Sequence, residues 1–230
     1  LAGDDETSPD HPRHQRTAVE GLSKDMMVMV SGEMKLGPGV SAALDVDAVA
    51  RRVWRDVGYP GADAITVINH LQRQSADIAQ GIDLSGSSEG AGDQGIMVGY
   101  ATDETESFMP AEWEMAQSLC HSIRMLRKNK VLTWLGSDIK TQVTLSPDND
   151  PIQVIIAAQH AEEVEAEEIR QALMTYAVEP LMGKLDPKQV VINGTGRFVV
   201  GGTIGDAGVV GRKIVVDAYG PSVQIGRAHV

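Results

Sequence analysis

Residues 194–220 read Gly-Thr-Gly-Arg-Phe-Val-Val-Gly-Gly-Thr-Ile-Gly-Asp-Ala-Gly-Val-Val-Gly-Arg-Lys-Ile-Val-Val-Asp-Ala-Tyr-Gly. Apolar runs at 198–200 and 214–216 flank a loop with glycines at 201, 202, 205, 208 and 211. The loop carries one carboxylate, Asp206, and ends in adjacent cations, Arg212 and Lys213. Glycine lets a backbone come close to a ligand. An Arg-Lys pair suits phosphate, because Arg binds it bidentately and Lys supplies a point charge. The plainer reading is a Gly-rich hairpin whose charges face water, which glycine punctuation alone favours. Neither familiar phosphate loop is present in this segment: there is no G-x-x-x-x-G-K-[ST], and no G-x-G-x-x-G between a strand and a helix. Residues 90–95, Gly-Ala-Gly-Asp-Gln-Gly, do match G-x-G-x-x-G literally. A polar loop precedes them where a strand is needed, and the strand-like Ile96-Met97-Val98 follows where a helix is needed, so a dinucleotide fingerprint is rejected.

The elements that must position these groups follow from pattern. Residues 1–16 have no apolar period and are expected to lack fixed structure; His11 and His14 there read as loop histidines rather than metal ligands. Residues 26–30 read as a buried strand. Asp45 precedes Val46, Val49, Ala50, Val53 and Val57 at helical spacing, with Gly58 placed to end the helix. A strand is expected at 64–68, and 72–89 is a long polar loop of the kind that is functional or disordered. A second helix is expected at 110–130, with Ala116, Leu119, Ile123 and Leu126 on one face. Cys120 is expected in core packing and His121 in solvent or a local hydrogen bond. A hairpin of 140–145 with 153–158 comes next. A third helix at 162–181 turns Val164, Ile169, Leu173 and Tyr176 inward, and a strand at 190–192 completes the series. Strand, helix, strand and Gly-Asp loop thus recur over 26–95 and 141–208, which predicts two similar α+β units with helices packed on sheets.

Composition narrows the function classes. The chain has 230 residues, 42% hydrophobic and 23% charged, as in ordinary globular proteins. A net charge of −12 argues against sequence-independent nucleic-acid binding, which needs a basic surface. No apolar run approaches the roughly 20 residues of a membrane span. The single cysteine, Cys120, excludes an internal disulfide and fits a reducing cytoplasm.

The segment at 194–220 resembles the Gly-Arg-Phe…Gly-Gly…Gly-Asp…Gly-Arg-Lys…Asp-x-Tyr-Gly motif of methionine adenosyltransferase, also called S-adenosylmethionine synthetase. The resemblance covers about residues 17–220. It includes Ala18-Val19-Glu20, Lys24, Met27, Gly32-Glu33, the run from Gln74 to Gly81, residues 90–95, and Trp134-Leu135…Asp138-Ile139-Lys140-Thr141-Gln142-Val143. It implies an α+β fold of repeated β-α-β sandwich units, pseudo-threefold in the full-length family. For this chain it implies a leader at 1–16, a central-domain-like unit at 17–103 and an N-terminal-domain-like unit at 104–200. A Gly-rich segment at 201–220 would return to the first unit, and 221–230 would be an artefactual tail, since Ile225 to Val230 resemble a translated sequencing-library adapter.

By resemblance, Glu20, Gln74, Asp93 and Asp206 contact methionine. Asp138, Lys140, Arg197, Phe198, Asp206, Arg212 and Lys213 contact ATP. The same resemblance makes Lys140, Arg212 and Lys213 the catalytic cations. The family makes S-adenosylmethionine from ATP and L-methionine with Mg²⁺ and K⁺. The resemblance assigns no metal ligand to this chain. It implies a cytoplasmic homodimer or homotetramer with shared active sites and no nucleic-acid or membrane partner. Two departures stand out. The family's His-Pro-Asp-Lys motif is missing, since His11-Pro12-Arg13 does not match it, and Pro221-Ser222 follow Gly220 where the family has a second glycine loop with lysines. The alternative reading is therefore a catalytically incomplete fragment or regulatory partner of the same fold. An unrelated Mg²⁺-dependent nucleotidase would explain the Gly-Asp loops but not the spacing of Glu20, Gln74 and Asp138.

Overall fold

A computed structural model describes residues 16–35, 44–75, 77 and 97–223. The described residues form two compact units, one within Leu1–Met97 with Ala207–Val210, the other within Val98–Asp206 with Gly211–Val230. Of the 201–220 segment, therefore, only Ala207–Val210 joins the first unit. Both units are mixed α+β, in line with the expected class.

In the first unit, β1 (Arg16–Lys24) and β2 (Met27–Lys35) form an antiparallel hairpin in which Lys24 faces Met27. Asp25 turns the hairpin at φ 50, a left-handed conformation that aspartate tolerates better than bulkier residues. β3 (Thr66–Arg73) runs parallel to β2, and β7 (Gly208–Val209) adds to β1, giving the order β3-β2-β1-β7. β2 runs on to Lys35, past the strand expected at 26–30, and β1, for which the sequence pattern gives no strand, begins at Arg16, the last residue of the stretch expected to lack fixed structure. Gly32 is required where it stands: its φ is 134, and a Cβ would lie 2.0 Å from the Ala18 carbonyl oxygen.

The parallel crossover between β2 and β3 is made by α1 (Val46–Val57). The Asp45 carboxylate accepts from the Ala48 N–H at 2.9 Å, and Gly58 closes the helix at φ 90, both as the sequence predicts. Trp54 anchors the helix. It is 5% exposed, packs with Ala62, Ile65, Val28, Tyr59 and Val67, and donates its indole N–H to the Pro60 carbonyl. Val49, Val53 and Val57 remain exposed on this helix.

The second unit repeats the plan. α2 (Ala111–Lys128) precedes an antiparallel hairpin of β4 (Leu135–Leu145) and β5 (Pro151–His160), turned through residues 146–150. α3 (Ala166–Leu173) then crosses over to β6 (Val190–Ile192), parallel to β5. The larger core lies here: Leu119 and Ile123 from α2 meet Val154, Ile156 and Ala158 from β5 and Ile169 and Leu173 from α3. Cys120 is partly buried, and burial pushes its thiol pKa up, which fits packing rather than reactivity. His121 is exposed and shares a local hydrogen bond with Arg124.

The third helix differs from expectation. A π-helical turn, Met174–Val178, interrupts the α-helical repeat before α4 (Glu179–Met182). The wider turn shifts the facing of later residues. Ala177 and Val178 become fully buried and Tyr176, expected inside, is 51% exposed. Two further short α-helices are α5 (Gly202–Gly205) and α6 (Ile214–Asp217). Among the described residues no helix is long and apolar enough to cross a membrane.

Two caps give testable energetics. Asp45→Ala should destabilise the first unit by about 1 kcal/mol in chemical denaturation. Glu104 accepts from the Ala111 N–H at the start of α2 and from the Thr102 hydroxyl. The backbone N–H first, and the hydroxyl second, hold its pKa below the ordinary 4.5. A carboxylate lowered in the folded state contributes stability above its unfolded pKa and loses it as pH falls through the folded value. The difference in thermal midpoint between the natural chain and Glu104→Gln should therefore be present at neutral pH and shrink below about pH 4.

Candidate functional site

The second unit brings several of the expected residues together at one end of its sheet. Pairing of β4 with β5 is regular from Ile139 to Thr144, but Leu135 faces His160 while Ile139 faces Ala158. Three residues of β4 (Gly136, Ser137 and Asp138) thus stand against the single Gln159. Such a bulge bends the strand and re-aims its side chains. Asp138 belongs to this irregularity, and Lys140 follows on the first regular stretch.

The Gln159 side chain closes the gap. Its Oε1 accepts from the Asp138 N–H at 3.2 Å and its Nε2 donates to the Val199 carbonyl at 3.0 Å. Gly136 and Gly201 leave room for it: a Cβ at Gly136 would lie 2.6 Å from the Gln159 side chain, and one at Gly201 would lie 3.0 Å away. The Asp138 Oδ2 in turn accepts from the Gly202 N–H at 3.0 Å. Three hydrogen bonds therefore link the β4 bulge, the end of β5 and residues 199–202 in a closed ring.

Phe198 is held from the next residue of β5. The His160 N–H donates to the Phe198 carbonyl at 2.9 Å, and the Phe198 N–H donates to His160 Nε2 at 3.1 Å. Because Nε2 accepts, the proton of the neutral ring sits on Nδ1, which donates to the Ala161 carbonyl at 2.8 Å. Upstream, the Asn193 side-chain amide pairs with both backbone groups of Ala158, at 2.8 and 3.1 Å, ending β6 and launching the loop. Lys140 Nζ lies 5.5 Å from the centre of the half-buried Phe198 ring, within cation–π range.

Asp138, Lys140 and Phe198 are thus neighbours. Arg197 points to a different partner, an ion pair with Glu162 in which both side chains are mostly exposed. Asp206 is exposed and directly follows α5. Arg212 and Lys213 are exposed in the turn before α6, whose first backbone bond runs from the Asp217 N–H to the Lys213 carbonyl. Glu20, exposed on β1 opposite Ser31, and Gln74, whose N–H donates to the Met34 carbonyl, belong to the first unit. Asp93 and the 90–95 motif lie outside the described residues, as do His11, His14 and residues 225–230. Among the described residues no group of three or more His, Cys, Asp or Glu is placed to hold a metal ion.

Sequence reasoning missed Gln159 and His160, because the strand expected at 153–158 stops short of them. Parity carried a signal. His160 shares the inward face of Val154, Ile156 and Ala158, and a polar residue at a core position demands partners.

Gly201 tests the ring. Its φ of −138 is open to any residue, so Gly201→Ala acts only through contact, with its Cβ 3.0 Å from Gln159 Cδ and 3.1 Å from Asp138 Cβ. It should cost about 1–3 kcal/mol in urea denaturation. It should also speed amide exchange at Gly202, whose acceptor is displaced.

Comparison with known proteins places this arrangement. The family model described as S-adenosylmethionine synthetase, central domain, matches residues 88–198. Most of the match lies in the second unit and overlaps the stretch 104–200, for which resemblance alone implies an N-terminal-domain-like unit. The S-adenosylmethionine synthase of Rhodospirillum centenum (strain ATCC 51521 / SW) is 42% identical over 228 residues, which is 94% of this chain and 58% of the relative. The chain therefore spans a little over half the length of that relative. Both matches and the mixed α+β units agree in making this chain similar to the S-adenosylmethionine synthetases.

Proposed function

We infer that the second unit binds ATP and that the chain serves the formation of S-adenosylmethionine from ATP and L-methionine. The observation that carries this reading is the grouping of Asp138, Lys140 and Phe198 around one hydrogen-bonded loop. A base stacks on an aromatic face with a gain of about 1–3 kcal/mol, and Phe198 offers such a face. Lys140 beside it supplies positive charge for a polyphosphate, with Arg212 and Lys213 assigned to the same task. Asp206, Glu20, Gln74 and Asp93 are assigned to methionine, where carboxylates suit an ammonium group. Arg197 would have to leave Glu162 to reach a nucleotide.

The chemistry fits the residue types. A thioether sulfur is a nucleophile without a proton, so its lone pair can attack the ribose C5′ with no general base. The C5′–O bond breaks as the S–C5′ bond forms, and triphosphate departs with the bonding electrons. Water then splits triphosphate into phosphate and pyrophosphate. Catalysis rests on positioning and on neutralising the leaving group, work for cations rather than for a nucleophilic triad. Mg²⁺ and K⁺ belong to this proposal as the family's ions. The described residues offer no cluster to hold them, so no step is derived through them. A homo-oligomer with shared sites, in the cytoplasm, is likewise part of the proposal.

The test is calorimetric titration of the purified 230-residue chain with ATP, together with chromatography of reaction mixtures containing ATP, methionine, Mg²⁺ and K⁺. ATP should bind, and Phe198→Ala and Lys140→Ala should each weaken it about tenfold or more. Formation of S-adenosylmethionine would establish the reaction for this chain. Binding without product would establish the alternative, a nucleotide-binding but catalytically incomplete form. Absence of ATP binding would refute the reading.

A further inference from the structure

We propose that Gln159 and His160 are positioning residues for the nucleotide, acting through the 197–202 loop and not by touching the ligand. The inference rests on the reading of this end of the sheet as an ATP site.

Phe198, Val199 and Val200 belong to no strand or helix, so no ladder fixes them. Their backbone is held by two consecutive residues of β5. His160 takes both polar groups of Phe198, one with its own N–H and one with its ring. Gln159 takes the Val199 carbonyl with its Nε2 and the Asp138 N–H with its Oε1. These two bonds run in opposite senses, so only one orientation of the amide satisfies them. The flanking Gly136 and Gly201 confine the side chain on two sides, where a Cβ would come within 2.6 and 3.0 Å.

His160 is similarly committed. It is 7% exposed, with its N–H, Nε2 and Nδ1 all engaged. The side-chain nitrogens and oxygen of both residues are engaged within the protein, and together they determine where the Phe198 ring and the Asp138 carboxylate stand. A loop already ordered before binding spares the ligand the entropy of ordering it. The benefit falls on the part of the nucleotide that Phe198 and Asp138 meet. The phosphates, assigned to Lys140, Arg212 and Lys213, gain much less from it. A residue that merely supports the fold would show no such division.

The experiment compares the binding of ATP and of inorganic tripolyphosphate to the full 230-residue chain, by calorimetry, for Gln159→Met and Gln159→Glu. Methionine keeps the length of the side chain and removes both hydrogen bonds. Glutamate keeps the acceptor for Asp138 N–H and removes the donor to Val199. Gln159→Met should weaken ATP about tenfold, the size expected for two neutral hydrogen bonds, and leave tripolyphosphate binding unchanged. Gln159→Glu adds a negative charge that weakens both ligands, so its readout is the loss of ATP affinity in excess of the loss for tripolyphosphate, which should be smaller than the excess for Gln159→Met. If Gln159→Met fails to fold, Gln159→Glu carries the same comparison between the two ligands. Equal loss for ATP and tripolyphosphate, or no loss for either, overturns the positioning role alone. Failure of the natural chain to bind ATP at all overturns the reading of the site, and this inference with it.

Discussion

The second unit's candidate site depends on a polar ring in which Asp138, Gln159, Val199 and Gly202 satisfy one another's hydrogen-bonding groups. Backbone groups of a partly buried loop must find partners, because leaving one unmade costs far more than a made bond contributes. A sheet ladder would normally supply them. Here the bulge at residues 136–138 interrupts the ladder, and side chains take its place. Each bond is worth about 1 kcal/mol by itself, but the ring ties three chain segments that are distant in sequence.

The scaffold behind the ring is what makes it rigid. β5 is buried on alternate residues from Val154 to His160, and α2 and α3 supply the apolar cover. Gln159 and His160 extend the same strand, one facing the bulge and the other facing inward, so both inherit the order of the core. The first unit uses the same plan of hairpin, crossover helix and parallel strand, with a smaller core around Trp54. In both units the conformations that need special residues lie at strand ends and turns: Asp25, Asn149 and Asn193 all take positive φ.

This division between rigid strands and held loops suits a reaction driven by electrostatic placement. Lys140 stands on a strand paired to its neighbour residue by residue, whereas Phe198 stands on a loop fixed by side chains. On the proposed chemistry no proton needs to be removed from the nucleophile. The useful property is then a stable arrangement of cation, aromatic face and carboxylate, and the described geometry offers that without a histidine in a catalytic role. His160, the buried histidine, is occupied in holding Phe198.

The sequence by itself determined the local elements whose causes are local. Asp45 and Gly58 bound α1 because capping is a matter of neighbouring residues, and the apolar run at 154–158 beyond the 146–150 turn marked β5 as one arm of a hairpin. The long Gly-Arg-Phe and Asp-Ile-Lys motifs carried the resemblance to S-adenosylmethionine synthetases, since their spacing is specific. Tertiary structure decided the rest. Tyr176 faces out because a π-turn shifted the helix, and nothing in a periodic apolar pattern announces that turn. Arg197 pairs with Glu162, and Asp138 meets Gly202, across separations of 35 and 64 residues. Gln159 gained its role only because a bulge left a vacancy in the ladder opposite it. Hydrogen bonds between distant segments depend on register and on packing of the whole unit, and those are not local properties of any stretch of chain.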